Sequence, residues 1–134
     1  MNKINLELNK LKGDDLDKAV ADALGWVLHT SSGPFPRSFY LGEDGAPISL
    51  NKWNPTQSAR QAMRLQMDYH LSVSFNKNKN TCRALGYFND DDTFSATGGR
   101  PHIAICRCII GLRQNGAKPV IIDFQEKLPE QDKE

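Results

Sequence analysis

A chain of 134 residues with 39% apolar and 25% charged residues suits one globular domain with a core of its own, expected over residues 1–122. Its net charge of +1 is too mild to argue for duplex-DNA binding, which usually shows a strongly basic face. From Asp123 onward five acids face two lysines, which leaves +4 on residues 1–122 and room for a local anion site, with an acidic and disordered tail expected at 123–134. Three cysteines, no apolar leader and no long apolar run point to a reducing cytoplasm and away from a membrane.

In chain order, residues 1–12 read as an edge strand or a tail. Gly13-Asp14-Asp15 opens a helix whose Leu16, Ala19, Val20, Ala23 and Leu24 share one face. Asp14, Asp15 and Asp17 fall in its first turn, where the helix dipole favours acids, and Gly25 ends it. Trp26 to His29 predicts a short strand, and Thr30 to Ser38 a loop broken by Gly33, Pro34 and Pro36. Phe39-Tyr40-Leu41 and Ile48-Ser49-Leu50 form an expected hairpin around Glu43-Asp44-Gly45. Asn54 suits an N-cap, Pro55 a first helical position and Gln57 the third, so a helix is expected from there to about Met67. Its inner face would be Ala59, Ala62, Met63 and Met67, its outer face Gln57, Arg60, Gln61 and Arg64.

The alternation of Leu71, Val73 and Phe75 with His70, Ser72 and Ser74 predicts a strand. Thr81 to Phe88 and Thr93 to Thr97 complete a three-stranded meander, with turns at Asn76 to Asn80 and Asn89 to Asp92. The meander leads into Gly98-Gly99-Arg100-Pro101 and an almost wholly apolar helix, His102 to Leu112, stopped at Gly116. A helix apolar on nearly every side is buried on nearly every side. Cys106 and Cys108, two residues apart on it, cannot chelate one metal and read as buried thiols. Val120-Ile121-Ile122 would add an edge strand. The fold class that follows is α+β: an antiparallel sheet of about four to six strands with three helices packed on it, in an αβα-sandwich-like arrangement.

Three stretches carry a family likeness. They are Leu16 to Trp26, the helix start Asn54-Pro55-Thr56-Gln57-Ser58, and Arg100-Pro101-His102-Ile103-Ala104-Ile105-Cys106-Arg107. Together they make the chain resemble small phage-encoded proteins of the NinX-like and phage ABA-sandwich type over about residues 11–122. The resemblance implies a phage origin, an α/β sandwich and no established enzymatic activity.

For chemistry, the two helix starts offer free backbone N–H groups that suit phosphate or carboxylate. The candidate ligand-binding set is Trp53, Asn54, Thr56, Gln57, Arg60, Gly98, Gly99 and Arg100, with Arg64 on the face of Arg60 and with Phe35, Phe39 and Tyr40 as further aromatics. Asp90-Asp91-Asp92 reads as a turn rather than a metal site. His29, His70 and His102 have no visible partner for acid–base work, so no catalytic residue, metal or cofactor is expected. The leading expectation is a phage-encoded, non-catalytic nucleotide-binding protein that sequesters a host immune signalling nucleotide, a cyclic nucleotide or an ADP-ribose derivative. Its use would be anti-defence in the host cytoplasm, and exposed sheet edges leave room for a homo-oligomer. The alternative is a protein-interaction module that docks on a host enzyme or phage replication factor through Phe35, Phe39 and Tyr40. A weak nucleotide-processing enzyme is the third.

Overall fold

The computed structural model of the chain describes residues 8–42 and 47–119. The first seven residues, the turn at 43–45, the strand expected at 120–122 and the acidic tail lie outside them. Residues 8–10 are helical rather than an edge strand, and Leu8 is buried in the core.

Helix α1 spans Gly13–Ala23. It stops where expected: Gly25 takes a φ of +81°, Trp26 N–H donates to the Ala21 carbonyl at 3.1 Å, and the orphan carbonyls of the last turn are thereby met. Strands β1 (Val27–Thr30), β2 (Ser38–Leu41) and β3 (Pro47–Ser49) follow as one antiparallel sheet, with Tyr40 opposite both Leu28 and Ile48. A short 3-10 turn, Leu50–Lys52, leads on.

Helix α2 spans Ala59–Asp68 and begins four residues later than Pro55 suggests. Ser58 is the N-cap, its hydroxyl accepting from Gln61 N–H at 3.2 Å. Asn54 instead anchors the turn before it, its carbonyl accepting from Gln57 N–H and Ser58 N–H at 2.9 and 2.8 Å. The later start goes with a different inner face. Ala62, Leu65 and the following Tyr69 are buried, whereas Met63 and Met67 are 58% and 49% exposed and Ala59 is exposed. Gln61 stays on the loop side, where its side chain accepts from Asn54 N–H at 2.8 Å and donates to the Lys52 carbonyl at 2.7 Å.

Strands β4 (Ser72–Asn76), β5 (Thr81–Tyr87) and β6 (Thr93–Gly98) form the expected meander, in spatial order β4-β5-β6. It pairs with no strand of the first sheet, so the six strands of the described residues form two three-stranded antiparallel sheets rather than one sheet of four to six. Helix α3, Pro101–Gln114, lies on the meander and is covered on its other side by α1 and α2. Small residues make this approach close. Cys82, Ala84 and Gly86 present little bulk toward α3, and a Cβ on Gly86 would meet Leu71 and Leu112 at 2.6 and 2.7 Å. The opposite face of the meander carries Ser72, Ser74, Arg83, Thr93 and Thr97, all exposed. Leu85 and Tyr87 are the large apolar residues on that face, and among the described residues no helix covers it; the layers run sheet, α3, then α1 with α2 rather than with a helix on each face of the sheet. The first sheet joins the body through aromatics: the Trp26 ring lies 4.6 Å from Trp53 and 6.2 Å from Tyr40 between ring centroids.

Candidate functional site

The turn before α2 points one amide, that of Thr56, at a carboxylate, and that carboxylate is the chain's own. Asp17 accepts from Thr56 N–H at 2.9 Å and from the Thr56 hydroxyl at 3.1 Å. One residue position serves a second contact, because the Asp17 carbonyl accepts from the Trp53 indole N–H at 2.8 Å. Asp17 and Thr56 are both buried. Burial holds the Asp17 carboxyl above its ordinary range; the two Thr56 hydrogen bonds pull it down, and Asp14 adds to the rise. The sequence did carry a signal for this. Asp17 lies between Leu16 and the pair Val20 and Ala21, which are the buried residues of α1, so it sits inside the apolar stripe and not only in the first turn.

The eight candidate residues therefore divide. Thr56 spends both donors on Asp17, Trp53 is buried with its N–H spent, and Asn54 spends its backbone groups on Gln61, Gln57 and Ser58. Gly98 is buried, and a Cβ there would meet Ile103 and the Ala104 nitrogen at 2.8 and 2.9 Å, so its role is the close passage of β6 under α3. Gln57, Arg60, Gly99 and Arg100 face solvent. Among the described residues neither Arg60 nor Arg100 forms an ion pair; the one ion pair is Arg64 with Asp68 at 3.2 Å. None of the eight lines either of the two clefts described below.

The remaining polar groups have local partners. Asn89 accepts from Asp91 N–H and Asp92 N–H at 2.9 and 2.8 Å and donates to the Asp92 carboxylate at 2.9 Å, so the acidic triplet is a built turn. His29 stacks on Phe39 with centroids 5.8 Å apart, and His70 is exposed at a φ of +51°. His102 is half-buried, and burial with the nearby Arg100 charge lowers its pKa. Cys82, Cys106 and Cys108 are buried free thiols. Burial raises the pKa of Cys106 and pushes that of Cys108 up to about 12, so neither supplies a thiolate at neutral pH. Arg107, read from sequence only as a charge within the apolar helix, is buried and donates to three carbonyls: Thr97 at 2.9 Å, Leu11 at 3.1 Å and Asn9 at 3.2 Å.

Three surface features stand out. At the tip of the β1–β2 hairpin, Phe35 is 85% exposed. The hairpin loop is closed beneath it: Ser31 N–H donates to the Arg37 carbonyl at 2.8 Å and Arg37 N–H to the Ser31 hydroxyl at 2.9 Å. Of the other aromatics expected beside it, Tyr40 turns into the core, while Phe39, one residue earlier on the strand and so on the opposite face, is half-buried against the exposed His29. At the β4–β5 hairpin a cleft of about 620 Å³ is bordered by Phe75, Lys77, Lys79 and Arg83. A second cleft, about 390 Å³, lies between α1 and α3 and is lined by Leu8, Leu11, Ala23, Ile110 and Arg113 among others. No helix among the described residues is long and apolar enough to cross a membrane. No family model and no curated protein matches the chain.

Proposed function

We propose that this chain is a non-catalytic protein-interaction module that docks on its partner through the β1–β2 hairpin tip, with Phe35 as the anchor. One observation carries this: a large apolar ring, 85% exposed, stands on a loop whose base is closed by two hydrogen bonds. Pro34 and Pro36 flank it and restrict its backbone, so little conformational entropy is lost when the ring is captured. Burying one phenylalanine side chain contributes about 1.5–3 kcal/mol, the scale of an interface hot spot. The partner needs an apolar pocket the width of a phenyl ring, and a host enzyme or a phage replication factor would supply it under the phage resemblance.

The test is affinity capture with the intact chain against Phe35→Ala and Phe35→Asp. Both variants are expected to fold with an unchanged melting temperature and to lose the same bound protein, with Kd rising roughly thirtyfold for Phe35→Ala. Capture of an identical set by all three chains overturns the assignment.

Sequestration of a host immune signalling nucleotide is the second reading, favoured by the guanidinium groups of Arg60 and Arg100, which have no carboxylate partner among the described residues. Calorimetry against cyclic nucleotides and ADP-ribose derivatives tests it. Affinity weaker than about 10 μM for every compound, or −6.8 kcal/mol, removes it.

A further inference from the structure

We propose that the open face of the second sheet is a self-association surface, occupied by a second copy of this chain turned over about a two-fold axis. The surface is separate from the Phe35 loop and from the turn before α2.

The strand register puts Arg83, Leu85 and Tyr87 of the central strand β5 on this face, away from α3. Tyr87 is 60% exposed and Leu85 is half-buried. The neighbours at the same levels are small and uncharged: Ser72 and Ser74 on β4, Ser95 and Thr97 on β6. Low flanks of this kind let a second sheet approach to the separation of face-to-face packing, about 10 Å.

The two ends of the face carry opposite charge. Lys77 and Lys79 lie in the β4–β5 turn, with Arg83 next to that end of β5; Asp90, Asp91 and Asp92 lie in the β5–β6 turn at the other end. All six are exposed, and none forms an ion pair among the described residues. Both turns are built. Asn76 accepts from Asn78 N–H and Lys79 N–H at 3.1 and 3.2 Å, and Asn89 accepts from Asp91 N–H and Asp92 N–H at 2.9 and 2.8 Å. The charges are therefore held a strand's length apart.

This arrangement selects the occupant. A nucleic acid is repelled at the acidic end, and a uniformly charged peptide is repelled at one end or the other. The matching surface presents the same two charges in reverse order. A two-fold axis lying across the strands, in the plane between two sheets, makes that surface from a second copy. The middle of β5 between the two turns falls at Ala84 and Leu85, and Leu85 is the one on the open face. With the axis there, Leu85 meets Leu85 of the second copy, and Arg83 lies over its Tyr87 ring as a cation–π pair. Lys77 and Lys79 meet its acidic turn, and every contact off the axis occurs twice. Three strands about 4.8 Å apart, rising about 3.4 Å per residue, make a face of roughly 15 by 20 Å, smaller than a permanent dimer needs, so the association is reversible.

Sedimentation velocity of the full chain, in a series reaching about 500 μM, is the primary measurement. A monomer–dimer equilibrium is expected, weakened at least roughly threefold between about 50 and 500 mM salt. Leu85→Arg places like charges on the axis and is expected to raise the dissociation constant at least roughly tenfold, with circular dichroism confirming the fold. The decisive pair is Lys77→Glu with Lys79→Glu in one chain and Asp90→Lys with Asp91→Lys in another. Each is expected to be monomeric alone, because its two turns now carry one sign; mixed in equal amounts, the two are expected to dimerise with each other. Phe75→Ser, on the opposite face of the sheet, is expected to leave the equilibrium unchanged. A wild-type chain monomeric at the highest concentration overturns the proposal, as does a Leu85→Arg dimer as tight as wild type. A mixed pair that stays monomeric overturns it too, and loss of the dimer in Phe75→Ser but not in Leu85→Arg moves the contact to the β4 edge and overturns it equally.

Discussion

At the scale of single residues, the decisive contact is the one Asp17 makes with Thr56. A helix-start amide with an exposed approach attracts an anion from outside; here the anion comes from the chain itself, one helix away. Its energetics give a signed pH prediction. The folded pKa of Asp17 is raised above its ordinary 3.8, so the native state binds the proton more tightly than the unfolded chain does. The contribution is fully present below 3.8 and is lost as pH rises through the raised value. Asp17→Asn removes that slope, so its melting temperature relative to wild type is expected to climb across the same window, as read by thermal unfolding at a series of pH values. Asp17→Ala is expected to lose about 1–3 kcal/mol at every pH, because the Thr56 N–H and hydroxyl are left buried without an acceptor. A flat difference between Asp17→Asn and wild type would count against the assignment. Arg107 is the other residue whose role the chain conceals. It ties residues 8–11 to the end of β6 through three carbonyls, and Arg107→Met is expected to cost about 3 kcal/mol in denaturant unfolding.

At the scale of elements, patterns read from sequence succeed where the period is strict and fail where apolar residues fall on more than one face. The meander strands and α3 are legible because β5 alternates buried with less buried positions, polar turns separate the strands, and α3 is apolar almost throughout. On helix α2 the spacing points to Ala59, Ala62, Met63 and Met67 as the inner face, and the buried residues are instead Ala62, Leu65 and the following Tyr69. The later cap at Ser58 goes with that face. Packing also reverses an ordinary helix rule. Alanine in place of a mid-helix glycine usually gains about 1 kcal/mol. At Gly111 a Cβ would overlap the Phe94 ring, so Gly111→Ala is expected to lose about 1–3 kcal/mol in denaturant unfolding. Gly111→Ala with Phe94→Leu is expected to recover part of that, since the smaller side chain opens the space. Stabilisation by Gly111→Ala alone would show that β6 and α3 are not in this close contact.

At the scale of the whole molecule, α3 is the only long helix among the described residues covered on both sides, by the meander and by α1 with α2. Its amides are expected to be the slowest to exchange with deuterium, and those of the exposed strand β1 among the fastest, in exchange measured by mass spectrometry. Fast exchange in α3 would contradict its central place. The apolar run from Ile103 to Leu112, flanked by Pro101 and Gly116, was enough on its own to establish a buried helix, since a segment without a polar face has no stable place in water. Composition and alternation likewise sufficed for an α+β class with antiparallel strands. What the chain order alone could not decide was which anion meets the Thr56 amide, how many sheets the six strands form, and which aromatics stay outside. Each of these depends on where the chain's elements come together: Asp17 reaches Thr56 across 39 positions, and Phe35 stays exposed at the hairpin tip while Tyr40 and Trp53 are buried. Local pattern sets an element's type through its own backbone and periodicity; the choice of neighbour is settled only when the whole core closes.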